Sequence, residues 1–404
     1  MAATRLGRPH LFAGVMACGI AAATLFAGRM MAIHLEHKTL HAFAPRVFQL
    51  KNQGLAFQRL ATQAPDVLPF YGSSELITAL PERAGILFRK APTRFQVSPI
   101  GKIGTPPLIM LQKLAALGYD LRGKKVAISL SAVWFMTLDL TPYWYDGNFS
   151  LFAASKLVFG SPLDFNLKQQ IASRMLQFPQ PLEKSPLLEF ALRRLASGGP
   201  LDYIVFCALW PLGKVQDAIF DLQDHFEALI YILRQPASAS HLHADRLDWP
   251  GLIAKASAKA SAHENEKGNA LDADKKMVAS HNDVWFLQRI NAARQWVDLE
   301  LLLRVLTKLH AQPLLLSTPM DGQFYDQAGV LPSVRECYYN KMRALAQRYN
   351  FPLVQFEQHD EDATFLSHRG SRIKHIPASH LTAKGWMFYD RALDDFFHGR
   401  VPRI

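Results

Sequence analysis

Two short runs constrain this chain more than anything else in it. Lys125-Val-Ala-Ile-Ser-Leu130 and Pro313-Leu-Leu-Leu-Ser317 are apolar on both alternating sides, the first running into Ser131 and the second into Thr318. A strand that is apolar on both faces must be covered on both faces, which a parallel sheet layered between helices provides. The rest of the chain supplies matching units. Val67–Tyr71, Arg94–Ile100 and Pro352–Phe356 read as further strands, and Leu108–Leu117, Trp296–Leu309 and Val334–Arg348 as helices. A last helix runs to Phe397. Strands alternating with helices at this pace predict an α/β fold, a parallel sheet in three layers. Sites in such sheets collect at the carboxyl ends of strands, where Gly72, Gly104 and Ser131 fall.

Two stretches break the alternation. From Thr141 to about 235 the spacing of apolar residues is helical, so this block is expected to be a helical insertion. From about 236 to 280, Ser, Ala, Lys and His dominate, and a low-complexity loop or frayed helix is expected. His241, His243, His263 and His281 carry no His-x-x-x-His or paired-cysteine spacing. They read as solvated side chains, so no metal site is expected there.

Leu11 to Gly28 is an uncharged apolar run of about 18 residues, flanked by Arg5, Arg8 and Arg29. At about 1.5 Å per residue it nearly matches a hydrocarbon core of roughly 30 Å, and it exceeds the usual apolar core of a cleaved signal. Residues 1–32 are therefore expected to form an uncleaved single-pass anchor, and residues 33–404 an exported α/β domain, with a polar helical lead-in from His34 to about Ala64. No second span of comparable length stands out. The net charge of +11 suits an anionic surface such as lipid headgroups or an acidic polymer. Lacking basic runs or zinc-ligand spacing, the chain is not expected to bind nucleic acid. Of the three cysteines, Cys207 and Cys337 are the pair free of the anchor, and nothing in the sequence says that they meet.

The candidate chemistry lies in Leu68-Pro-Phe-Tyr-Gly-Ser-Ser-Glu-Leu76. A serine at a strand-to-helix turn stands clear of its own backbone, with helix N–H groups aimed at whatever it attacks. Gly72 permits a sharp turn, and Ser74 or Ser73 is the candidate nucleophile. Alone, the stretch reads as readily as an ordinary N-cap. What sharpens it is His380, on a loop just before the last helix, although a single loop histidine is by default a surface residue. The two ends of such a sheet can meet, letting His380 take the serine proton while the Gly104 and serine N–H groups receive an oxyanion.

These residues resemble a known family. Gly72-Ser-Ser-Glu-Leu76, Ser131-x-x-Trp-Phe135, the Pro319–Gly329 stretch with Phe324-Tyr-Asp326, and His380-Leu-x-x-Lys-Gly-Trp386 are similar, in this order, to the DltD family. Those are membrane-anchored D-alanyl-transfer proteins with a divergent SGNH-hydrolase-like fold. The resemblance covers nearly the whole chain except 236–280. It implies Ser74 and His380 in the catalytic positions, Ser74 being preferred because it aligns with the serine of the Gly-Asp-Ser block. It implies no cofactor, and a domain outside the cytoplasm, held at the bacterial inner membrane by one helix. The implied partners are a membrane-bound O-acyltransferase and an anionic cell-envelope polymer or exopolysaccharide. The implied activity is transfer of D-alanyl or another small acyl group to or from a polymer or glycan hydroxyl. One departure stands out: the family's catalytic acid lies three residues before the histidine, where this chain has Pro377. Asp326, Asp360, Glu361 and Asp362 are the candidate substitutes, a backbone carbonyl or a bare dyad being alternatives. A non-catalytic accessory subunit and a polysaccharide esterase are the rival functions.

Overall fold

A computed structural model describes residues 8–235, 246–265, 282–367 and 376–402 of the chain. Five strands form one parallel sheet: β1 (Val67–Tyr71), β2 (Gln96–Ile100), β3 (Lys125–Leu130), β4 (Gln312–Ser317) and β5 (Leu353–Gln355). Their order is β2-β1-β3-β4-β5, with Val67 opposite Gln96 and Lys125 opposite Gln312. The fold is the expected α/β class. β2 starts later than its sequence pattern suggests, because Arg94 turns into the left-handed region at φ 71°.

Alternation along the strands fills two cores. Val126, Ile128 and Leu130 of β3 join Leu315 of β4 on one face, under the Pro107–Leu117 and Gln295–Lys308 helices and the helical insertion. Ala127, Leu314 and Leu316 point the other way, joining Phe70 and Val97 against Trp386, Tyr389 and Leu393 of the Ala383–Phe397 helix. Helices on both faces give the three layers that doubly apolar strands require.

The block between β3 and β4 opens with a run of helices, the longest being Pro200–Arg234. That helix matches the length and apolar composition of a membrane span, so the expectation of a single such stretch needs correcting. Its charges hid it in the sequence: Asp202, Asp217, Asp221 and Asp224 interrupt the apolar run. Within 236–280, of the two states expected, loop or frayed helix, the described part is helical. Trp249–Asn265 is a helix that packs Ala256 on Ala383 and Met387. Alanine favours helix, and its small side chain lets two helices approach. His241, His243 and His281, and the side chain of His263, lie outside the described residues.

The N-terminal helix runs unbroken from Arg8 to Phe43. It is exposed from His10 to Ala27, whereas Ala32, Glu36, Leu40 and Phe43 are buried in the domain. One helix is thus both apolar projection and domain element, so the boundary at residue 32 falls inside it.

Candidate active site

In a 2-1-3-4-5 parallel sheet the chain reverses its winding between β1 and β3, which opens a crevice at the carboxyl edge. Ser74 stands at that edge, three residues beyond the end of β1. The chain there forms one 3-10 turn, Ser74–Ile77, instead of the helix expected from Glu75 onward. Thr78 turns extended (ψ 141°) and Pro81 follows, so no helix grows and no long helix dipole points at the site. Gly72 is not in the left-handed region that a sharp turn would demand. A Cβ there would instead sit 2.5 Å from Glu75 Oε1, so any larger residue has to displace that buried carboxylate.

The two serines are differently placed. Ser73 is 4 % exposed, and its Oγ accepts the Thr105 N–H at 3.1 Å. Ser74 Oγ lies 2.8 Å from His380 Nε2, across 306 residues of sequence. Glu75 lies buried beside them, and its Oε1 accepts the Ser73 N–H at 2.8 Å. Burial pushes the Glu75 carboxyl up, against the pull of that N–H.

His380 sits on a two-residue strand rather than a free loop. His380–Leu381 pairs antiparallel with Leu366–Ser367. Next in sequence, Thr382 caps the last helix through Gly385 N–H and donates its own N–H to Phe365 O at 3.0 Å. On the other side of His380, Asp321 Oδ2 accepts the Ala378 N–H at 2.7 Å. The imidazole is thereby held from both directions. Burial lowers its pKa, so the ring is neutral, and able to accept a proton, at ordinary pH.

None of the four candidate acids reaches it. Asp326 and Glu361 both pair with Arg335, at 3.1 and 2.6 Å. Asp360 accepts the Met320 N–H at 2.9 Å and the Tyr339 hydroxyl. Asp362 pairs with Lys384 at 2.6 Å. Among the described residues the imidazole's polar partner is Ser74, and no carboxylate meets it.

Gly104 lies in the turn that delivers the Thr105 N–H to Ser73. Its φ is +74°, and a Cβ would lie 1.9 Å from the Trp144 ring. Buried Asn148 ties this turn down. Its Nδ2 donates to Ile103 O, Gly104 O and Trp144 O at 3.1, 3.0 and 2.9 Å. Its Oδ1 accepts the Thr105 hydroxyl at 2.8 Å. Asn148, Glu75 and Asp321 are the polar residues that sequence reasoning missed. Glu75 stood in the Gly-Ser-Ser-Glu block without a role of its own, and Asp321 stands four residues past the end of β4, at the same sheet edge as Ser74.

A parallel sheet in this order, with a serine and a histidine in contact at its carboxyl edge, defines an α/β protein of the SGNH-hydrolase-like class. Within that class, the DltD protein family model matches residues 44–398. The chain belongs to the DltD family. It is 25 % identical to Protein DltD of Bacillus subtilis (strain 168) over 364 residues, covering 88 % of each chain. It is 24 % identical to Protein DltD of Staphylococcus aureus (strain NCTC 8325 / PS 47) over 348 residues, covering 86 % of this chain and 85 % of that one.

Proposed function

We propose that this protein transfers D-alanyl or another small acyl group to or from a hydroxyl of a cell-envelope polymer or glycan, outside the cytoplasm. The contact between Ser74 Oγ and His380 Nε2 at 2.8 Å carries the reading. Ser74 Oγ attacks the acyl carbonyl as its proton passes to Nε2. The oxyanion is received by the Ser74 and Gly104 N–H groups. As the tetrahedral intermediate collapses, the donor's leaving oxygen takes the proton from the imidazolium. The acceptor hydroxyl then repeats the sequence in reverse, losing its proton to Nε2 and releasing Ser74. The net charge of +11 favours an anionic acceptor. The apolar projection from His10 to Ala27 is read as a single inner-membrane anchor. Membership of the family supports a membrane-bound O-acyltransferase as donor partner.

A second reading, a non-catalytic accessory subunit, is favoured by one observation: no carboxylate among the described residues meets His380. Without one, the imidazolium lacks a stabilising partner, which in triad enzymes lowers turnover by about 10⁴. A fluorophosphonate probe decides between the two. Covalent capture at Ser74, lost in Ser74→Ala and falling at least a hundredfold in His380→Ala, is the expected result. No labelling of the folded wild-type protein assigns it to the accessory class. Product analysis with and without an acceptor glycan then separates transfer from plain ester hydrolysis.

A further inference from the structure

The Pro200–Arg234 helix presents an apolar face that the domain leaves uncovered. Leu201, Ile204, Leu212, Val215 and Ile219 are each 58–77 % exposed. The acids of its first half are held by the domain: Asp202 pairs with Arg194, and buried Asp217 accepts the Ser155 hydroxyl. A soluble surface helix turns its apolar side inward and a polar side out, whereas here Phe206, Leu209 and Phe220 face the core and the outer side is apolar as well.

The contacts of this helix with the N-terminal helix say which way that face lies. Arg29 meets Asp221 at 3.0 Å, Glu36 meets His225 at 2.9 Å, and the Phe43 and Tyr231 rings lie 5.6 Å apart. Both series rise together, so the two helices run in the same sense. Going back from Arg29 the N-terminal helix becomes the exposed apolar projection. Going back from Asp221 the second helix becomes the exposed apolar face, on the same side of the contact. The contact itself begins where the anchor's uncharged run ends, with Gly28 against the Phe226 ring. Arg29, Arg59, Lys156 and Lys214 gather at that level, with Asp217 and Asp221 among them. Cations at this depth suit phosphate headgroups.

We propose that the outer face of Pro200–Arg234 lies in the lipid bilayer alongside the anchor and seats the domain on the membrane. This rests on reading the N-terminal helix as a membrane anchor. The domain then does not swing on a tether. It rides at a fixed height and tilt, with one face pressed to the lipid.

The native cysteines provide the test. Cys18 lies on the anchor, Cys207 is exposed on the proposed face, and Cys337 is half-buried in the Pro332–Arg348 helix. Full-length chains each retaining one of the three, the others changed to serine, are spin-labelled in nanodiscs of phosphatidylethanolamine and phosphatidylglycerol. A fourth, cysteine-free chain carries Leu212→Cys. Collisions with oxygen report lipid, and those with a water-soluble nickel chelate report solvent. Expected is an oxygen-to-nickel ratio at Cys207 and Leu212→Cys several-fold above that at Cys337, approaching that at Cys18. A lipid-like Cys18 with solvent-like Cys207 and Leu212→Cys overturns the inference and leaves the anchor standing, the face being then one for a protein partner. Shielding of both face positions from both reagents overturns it too. A solvent-like Cys18 removes the anchor itself, and the inference with it.

Discussion

Ser73 Oγ accepts a backbone N–H while Ser74 Oγ meets an imidazole, so adjacent and chemically identical side chains are separated by their partners. Ser73→Ala would leave the buried Thr105 N–H with the Lys102 carbonyl alone, at 3.2 Å. The expected loss is about 0.5–1.5 kcal/mol of stability, read by urea unfolding, with fluorophosphonate labelling of Ser74 retained. The lowered pKa of His380 sets a pH dependence with a definite sign. The base works when neutral, so the labelling rate should hold as pH falls through about 6.5, the ordinary imidazole value, and decline only below it. A midpoint at or above that value in a stopped-flow profile contradicts the burial argument. Ser74 and His380 were legible in the sequence because motif and strand-end position agreed on them. Glu75, Asn148 and Asp321 were not, because their roles depend on which backbone groups the folded turns bring to them.

The turn bearing Gly104 is the element most sensitive to a single methyl group. Gly104→Ala must place a Cβ where the Trp144 ring lies and hold an alanine at φ +74°. A destabilisation of at least about 1–3 kcal/mol is expected, seen as a lower unfolding midpoint, together with slower labelling of Ser74 as the turn shifts. The buried strands and the last helix were readable because each is a dense apolar run with a stop beside it, such as Gly118 at the end of Pro107–Leu117. The turn after β1 misled because Leu76, Ile77, Ala79 and Leu80 keep helical spacing past Thr78, where the backbone has already left the helix. Trp249–Asn265 misled in the opposite sense. Its repeated Ala, Ser and Lys resemble a linker, yet alanine suits a helix packed closely on another.

At the scale of the molecule, the two long helices were unequally visible. The N-terminal helix runs from Leu11 to Gly28 without a charge, whereas Pro200–Arg234 shares its turns between an exposed apolar face and acids that bind the domain. Composition averages those two sides, and only the folded helix separates them. The helix also joins the serine-bearing half of the domain to the anchor, since Asp224 Oδ2 accepts the Leu55 and Ala56 N–H groups at 2.7 Å. The separation of Ser74 from His380 by 306 residues has a consequence for synthesis. On the proposed topology and chemistry the hydroxyl crosses the membrane early, while the group that arms it waits near the tail, fastened only when the last helix seats Trp386 under the sheet. Under the proposed chemistry, a chain still being threaded outward, or one cut short before that helix, carries an inert serine past every ester it meets.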